Sequence, residues 1–327
     1  MKMFYGWKIV DAAAGMQFLH AGLLHQAFGA YVATLIDERG WSKTELSAGS
    51  VILALGAAVS GPLLGWMIDR FGAQGVVRAG ALLFGAGFLL LSSIESLAGF
   101  YGAVTVIALG ASLCGYFPLN VAVINWFNRF RARALSTVAM GLALGGVSVP
   151  LVAWSMQAWG WRATALGSGL IAITVGFPLA RIIRSRPEDH GETLDGQPDA
   201  PPPRPCQGAP AAMREFSARD ALRTSAFWLL GLGHGVALLV VTAVNVHAIT
   251  HMKEGLGYSV AEASMVMTVM TLFQVAGVAF GWWIGDRYDK RRVSASCMLM
   301  HAIGLLALTW ATNVGMLMVF AVVHGFS

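Results

Sequence analysis

Apolar positions in this chain gather into long unbroken runs, without the alternation of a half-buried strand or the one-sided stripe of a surface helix. A helix needs about 20 such residues to cross the hydrocarbon of a bilayer. Runs of that order fall near 9–36, 46–68, 79–94, 98–124, 135–158 and 163–183, and again near 226–250, 262–284 and 294–312. A tenth opens at Met316 and reaches Ser327. Barrel strands, the other structure that satisfies its backbone in lipid, would show short alternating segments. The pattern therefore predicts an all-α polytopic membrane protein with 9–10 spans.

Residues 184–220 interrupt the runs. They hold seven of the eleven prolines, including Pro201-Pro202-Pro203, together with Glu188, Asp189, Glu192, Asp195 and Asp199. With no apolar period, such a stretch is expected to be a flexible cytoplasmic linker. The predicted organisation is a six-helix bundle over 1–183, a linker over 184–220 and a second bundle over 221–327.

Composition agrees with a lipid solvent: 56% of residues are hydrophobic and 12% charged, against about 25% charged in a soluble domain. The net charge of +5 comes from basic residues scattered among short loops, so the expected partner is the anionic face of a bilayer and not nucleic acid. One side of the predicted topology carries 18 of the 22 Lys and Arg residues. The positive-inside rule makes that side cytoplasmic, which places the N-terminus inside a multi-pass protein of the inner membrane. The first run is too long for a cleaved signal peptide and is expected to be retained. Cys114, Cys206 and Cys297 have no ligand-spaced neighbours, and His247 with His251 would be two ligands only, so no metal, disulfide framework or cofactor is expected. No nucleophile–base pair or phosphate loop points to an enzyme.

The two groups of runs repeat each other. Gly61 and Gly65 precede Asp69-Arg70 as Gly277 and Gly281 precede Asp286-Arg287, with offsets of 216 and 217 residues that the extra Gly285 accounts for. His20 and Tyr31 stand eleven residues apart, as do His234 and Asn245, at an offset of 214. The stretch Gly65-Trp66-Met67-Ile68-Asp69-Arg70-Phe71-Gly72 resembles the loop signature of the major facilitator superfamily, whose members are parallel six-span repeats joined by a long cytoplasmic loop. Phe4-Tyr5-Gly6-Trp7, Asn125-Trp126-Phe127 with Arg129, Arg131 and Arg133, and Arg186-Pro187-Glu188-Asp189 are similar to bacterial members near the monocarboxylate and oxalate/formate branch.

That resemblance implies two six-helix repeats, the second incomplete here because the last two spans are lacking. It implies secondary transport of a small organic solute by alternating access, in this branch a monocarboxylate or related organic anion, with a proton as the coupled partner and a monomeric protein in the bilayer. A neutral or drug-like solute, or a truncated fragment without activity of its own, are the competing expectations. The resemblance also implies a conformational latch: Gly65, Asp69, Arg70 and Gly72 against the start of span eleven, and Asp286 with Arg287 against the start of span five, near Arg133 and Ser136. Trp282 and Asp289 depart from the pattern where Gly65 and Gly72 stand in the first copy. The glycine pairs of spans two, five and eight (Gly61 and Gly65, Gly141 and Gly145, Gly277 and Gly281) are expected where the two halves meet.

Polar residues inside a span are costly and mark pathways. On a helical wheel of about 100° per residue, Gln17, His20 and Tyr31 share a face of span one, Ser112, Tyr116 and Asn120 one of span four, and His234, Thr242 and Asn245 one of span seven. These faces are the expected substrate path, with Gln274 of span eight as a further candidate. Apart from Asp11 near one edge, no carboxylate, Lys or Arg falls well inside an apolar run.

Overall fold

A computed structural model describes residues 4–25, 27–196 and 217–327 of the chain. The central part of the expected linker, residues 197–216 with Pro201-Pro202-Pro203 and Cys206, lies outside the described residues. All regular elements among the described residues are helical.

Helix α1 (Tyr5–His20) runs into a π-helical turn at Ala21–His25, and α2 (Phe28–Arg39) completes the first span. Helix α3 (Lys43–Ser92) contains the second and third spans, which meet at Gly72 with φ 73° and ψ 153°, a conformation essentially confined to glycine. Helices α4 (Leu97–Cys114) and α5 (Tyr116–Trp126) form the fourth span and break at Gly115. The fifth span is α6 (Arg131–Gly145) with the first half of α7 (Val149–Ile171), and α7 turns at Gly160 (φ 80°, ψ 159°) into the sixth, which α8 (Phe177–Ile182) completes. After the short α9 (Ala218–Leu222) come α10 (Ser225–Thr250), α11 (Val260–Ile284), α12 (Lys290–Thr309) and α13 (Val314–Phe326), spans seven to ten. The apolar runs coincide with these helices to within a few residues. One offset matters: the third span begins at Ala73 and not near residue 79, so Arg78 lies within its second turn.

Helix starts are written into the sequence. Ser42 and Glu45 close a capping box, the Glu45 N–H donating to Ser42 Oγ at 3.2 Å and the Ser42 N–H to the Glu45 carboxylate at 2.9 Å. The Ser42 hydroxyl, which donates to the same carboxylate at 2.8 Å, and then the Ser42 N–H hold the Glu45 carboxyl below its usual range. Ser259 and Glu262 build the same box at the start of α11, at 3.2 and 2.8 Å. A left-handed glycine precedes each box, Gly40 at φ 67° and Gly257 at φ 77°. The spacing between the boxes is the 217 residues that separate Asp69 from Asp286, so the internal repeat extends to the helix caps.

The chain divides into two compact units, Met1–Pro198 with Val278–Arg287, and Asp199–Gly277 with Tyr288–Ser327. Lipid tails give helices no hydrophobic drive to associate, so close backbone packing has to hold each unit together. In the first unit, Gly110 of α4 lies against the backbone of Phe84, and Gly141 and Gly145 of α6 lie against Ala14, Phe18 and Gly22 of the first span. The glycine pair of span five thus serves packing inside one unit, and was expected instead where the halves meet. A side chain at Gly61 or Gly65 would have no neighbour within 4 Å. Buried aromatics, among them Phe88, Phe100, Trp126, Phe127 and Trp161, fill the first core. The second unit has a smaller core around Val244, Met252, Val266, Leu317 and Phe320.

Candidate functional site

Helix α6 begins Arg131-Ala132-Arg133, with no acidic residue in its first turn and no side-chain cap from Phe130. Such a start leaves backbone N–H groups unsatisfied and sets two cations at the positive end of the helix dipole. Both defects are corrected from far along the chain. Asp286, just beyond α11, accepts hydrogen bonds from the N–H of Ala132 at 2.7 Å and of Arg133 at 3.1 Å, and lies 3.8 Å from the Arg133 guanidinium. Its side chain is only 8% exposed.

The departures from the first copy acquire a physical reason here. Trp282 presents its ring to the Arg133 guanidinium, 5.0 Å from the centroid, a contact that a glycine could not make. Gly285 faces Ala132, and a Cβ there would stand 2.6 Å from that of Ala132. Gly281 faces Ser136 in the same way at 3.7 Å. Asp289 caps α12, accepting from the N–H of Arg291 at 2.9 Å and of Arg292 at 3.2 Å. Arg287 lies over the ring of Trp283 at 4.9 Å.

A second carboxylate sits beside the first. Asp195 accepts from three successive backbone N–H groups, those of Asn128 (3.2 Å), Arg129 (2.9 Å) and Phe130 (3.4 Å). It does so from φ 57°, the one positive φ at a non-glycine residue among the described residues. The linker's first residues, expected to be flexible, are therefore tied to the first unit. Ser185 and Arg184 contribute to the same attachment, their carbonyls accepting from Asn125 Nδ2 and Trp126 Nε1, each at 3.1 Å. The aromatic motifs close around it: Phe4 and Tyr5 pack on Trp126, and Trp7 packs edge-on against Phe127 at 5.0 Å.

The first copy of the loop is disengaged. Asp69 and Arg70 are exposed in the last turn before Gly72, and the Asp69 carboxylate has no hydrogen-bond or ion-pair partner among the described residues. At Gly72 a Cβ would also meet Ser185 Oγ at 2.7 Å.

The polar faces are only partly those of the helical wheel. Gln17 is wholly buried, and neither of its amide atoms has a hydrogen-bond partner. His20 Nε2 and Asn120 Oδ1 are likewise buried and unpartnered, as is Arg78 Nε in the third span. A π-turn at Ala21–His25 lies between His20 and Tyr31; their rings pack on Phe84 and Phe88 of the third span, at 5.6 and 6.2 Å, and the Tyr31 hydroxyl meets Ser168 Oγ at 3.3 Å. Ser168, in the sixth span, was not anticipated from the sequence. Gly115 interrupts the helix within the span-four stripe, in which Ser112 is half-buried and Tyr116 exposed. In the second unit, His234, Thr242 and Asn245 are exposed along α10 and Gln274 along α11, and Thr242 shares an open groove with Leu238, Leu239, Ala243 and His247.

The profile of the Major Facilitator Superfamily matches residues 14–247 and 230–327. The chain is 22% identical over 305 residues to the glycerol-3-phosphate transporter of Bacillus subtilis (strain 168), covering 89% of this chain and 68% of that protein. To the oxalate:formate antiporter of Oxalobacter formigenes it is 22% identical over 285 residues, covering 84% of this chain and 62% of that one. Its fold is similar to that of FucP, a transporter solved in the outward conformation, with a TM-score of 0.71 at 15% identity over 97% of this chain and 80% of that one.

Proposed function

The chain belongs to the Major Facilitator Superfamily, and from that premise we propose that it is a monomeric secondary transporter of the inner membrane, its N-terminus cytoplasmic, moving a small organic anion such as a monocarboxylate together with a proton by alternating access. The observation that carries this reading is the set of buried, unpartnered polar atoms at Gln17, His20 and Asn120 in an otherwise apolar bundle. Each costs about 1–3 kcal/mol if nothing ever meets it. A solute and its water, arriving during the transport cycle, supply the missing partners. The anion is supported by the buried Arg78 Nε, which has no hydrogen-bond partner, and by the likeness to relatives named for glycerol-3-phosphate and oxalate:formate.

The Asp286 contact serves as the latch in this proposal. A contact made in one state of the cycle and lost in the other biases the populations by its own free energy. Asp286 has that character because its carboxylate supplies what the start of α6 lacks. Asp69, Arg70 and Gly72 form the matching loop of the first repeat.

A second reading, a neutral polar solute, is favoured by the chemistry at Gln17 and Asn120, whose amides offer uncharged donors and acceptors. Uptake of labelled lactate, oxalate, glycerol 3-phosphate and neutral sugars into proteoliposomes separates the readings. Uptake confined to the sugars removes the anion proposal. Failure to move any of them, with no saturable binding, removes transport by this chain.

A further inference from the structure

Helices α12 and α13 cross where Gly304 of α12 leaves room for His324 of α13. A Cβ on Gly304 would stand 2.7 Å from that of His324, and Gly325 lies against the carbonyl of Met270 in α11. This crossing buries His324 to 5% exposure beside His301, which lies one turn before Gly304 and is half-buried. The two Nδ1 atoms are 3.2 Å apart and the rings meet edge to face, with centroids at 4.6 Å and planes at 66°. Phe320 stacks on His324 at 5.4 Å.

We propose that His301 and His324 form a proton-binding site of capacity one, and that, on the transport reading above, this is where the coupled proton is held. A hydrogen bond between two Nδ1 atoms requires that one ring carry the hydrogen there, leaving its Nε2 bare, while the other ring carries its hydrogen on Nε2. An incoming proton binds the bare Nε2. The resulting imidazolium keeps its Nδ1–H pointed at the neutral partner, and the bond becomes charge-assisted and stronger. A second proton would destroy that bond and set two cations side by side, so the pair takes up one. The more exposed His301 gives the proton its route in and out. An ionisable pair inside a span, each member the other's partner, is the arrangement that a low-dielectric setting tolerates.

The surroundings leave the pair to titrate by itself. Cys297 stands one turn before His301 on α12, and α13 has no other ionisable side chain. Helix α11 carries Glu262 alone, two turns before Met270. His251, from the end of span seven, directs Nε2 to the Leu308 carbonyl at 3.4 Å, two turns along α12 from His301. Among the described residues none of these bonds to either imidazole.

The test is a titration of the full chain, 15N-labelled at histidine, in lipid nanodiscs, following the imidazole nitrogen shifts. His301 and His324 should change together in one single-proton step. In His301→Asn or His324→Asn the remaining imidazole should titrate alone, its midpoint moved by about one pH unit or more. Independent titration of the two in the unmodified chain, or an unmoved midpoint in the variants, overturns the proposal; His301→Gln and His324→Gln stand in if an Asn variant fails to assemble. In pyranine-loaded proteoliposomes offered labelled lactate and oxalate, either variant should lose solute-driven proton entry at least tenfold while keeping solute exchange. Unchanged proton entry refutes the coupling role. A chain that titrates as one site but moves no solute refutes the transport reading alone.

Discussion

Replacing Asp286 by Asn keeps the shape of the side chain at the start of α6 and removes its charge. The carboxylate offers one oxygen to the Ala132 N–H at 2.7 Å and the other to the Arg133 N–H at 3.1 Å. An amide has a single acceptor, so its NH2 must face the second donor. A hydrogen bond to a charged group contributes about 1.5–3 kcal/mol and an orphaned buried donor costs about 1–3 kcal/mol; the charge–dipole attraction, up to about 2 kcal/mol in a partly buried setting, overlaps with both. The combined loss is about 2–3 kcal/mol, which moves a two-state equilibrium by roughly 30- to 150-fold. Ser136, which faces Gly281 at 3.7 Å, reports on the contact. In a background with Cys114, Cys206 and Cys297 replaced by Ser, S136C should react with a membrane-impermeant maleimide at least tenfold faster in D286N than in the parent, in vesicles exposing the cytoplasmic face. Asp69→Asn is the control and should change the rate less than twofold, since that carboxylate is exposed and unpartnered. Equal labelling of D286N and the parent would show that α6 does not depend on this cap.

Gly72→Ala and Gly160→Ala each force a side chain into a glycine-only conformation at a cost of about 1–3 kcal/mol, but only the first also meets Ser185 Oγ. Thermal unfolding in detergent should therefore show the larger loss for Gly72→Ala, and a reversed order would contradict the packing described. Asp195→Ala should destabilise the first unit by about 1–2 kcal/mol through loss of the acceptor shared by three N–H groups, with Asp195→Asn milder because Asn tolerates a positive φ; identical unfolding of both variants and the parent would dismiss the attachment. Gln17→Leu removes two unpaired polar atoms, so thermal stability should hold or rise while solute uptake falls more than tenfold. Undiminished uptake would take Gln17 off the path.

The fold was legible because lipid imposes a coarse constraint: every span must be long and apolar, and those runs survive as helices. The resemblance to the superfamily, carried in part by the Asp-Arg repeat, implied that Asp286 would lie against the start of α6, and a carboxylate is drawn to uncapped N–H groups there. Two kinds of information were hidden. Helical wheels assume an unbroken phase, and nothing in the apolar pattern marks the π-turn at Ala21–His25 or the break at Gly115 that interrupt it. Asp195 and His324 act through partners 65–67 and 23 residues away along the chain, and nothing in their local sequence marks them. The capping boxes at Ser42 and Ser259 were readable and would have extended the repeat without a structure, because Ser-x-x-Glu after a glycine is a helix start in its own right.

The start of α6 also constrains the order in which the protein can be made. The N–H groups of the three residues before α6 and of its first turn wait for acceptors that leave the ribosome much later, Asp195 after 65–67 further residues and Asp286 after 153–154. Until then the fifth span enters the bilayer with a frayed, cationic end. The first unit can thus gather its six spans early but reaches its final state only after the eighth has been synthesised, which makes the nascent chain, and not only the finished protein, dependent on Asp286.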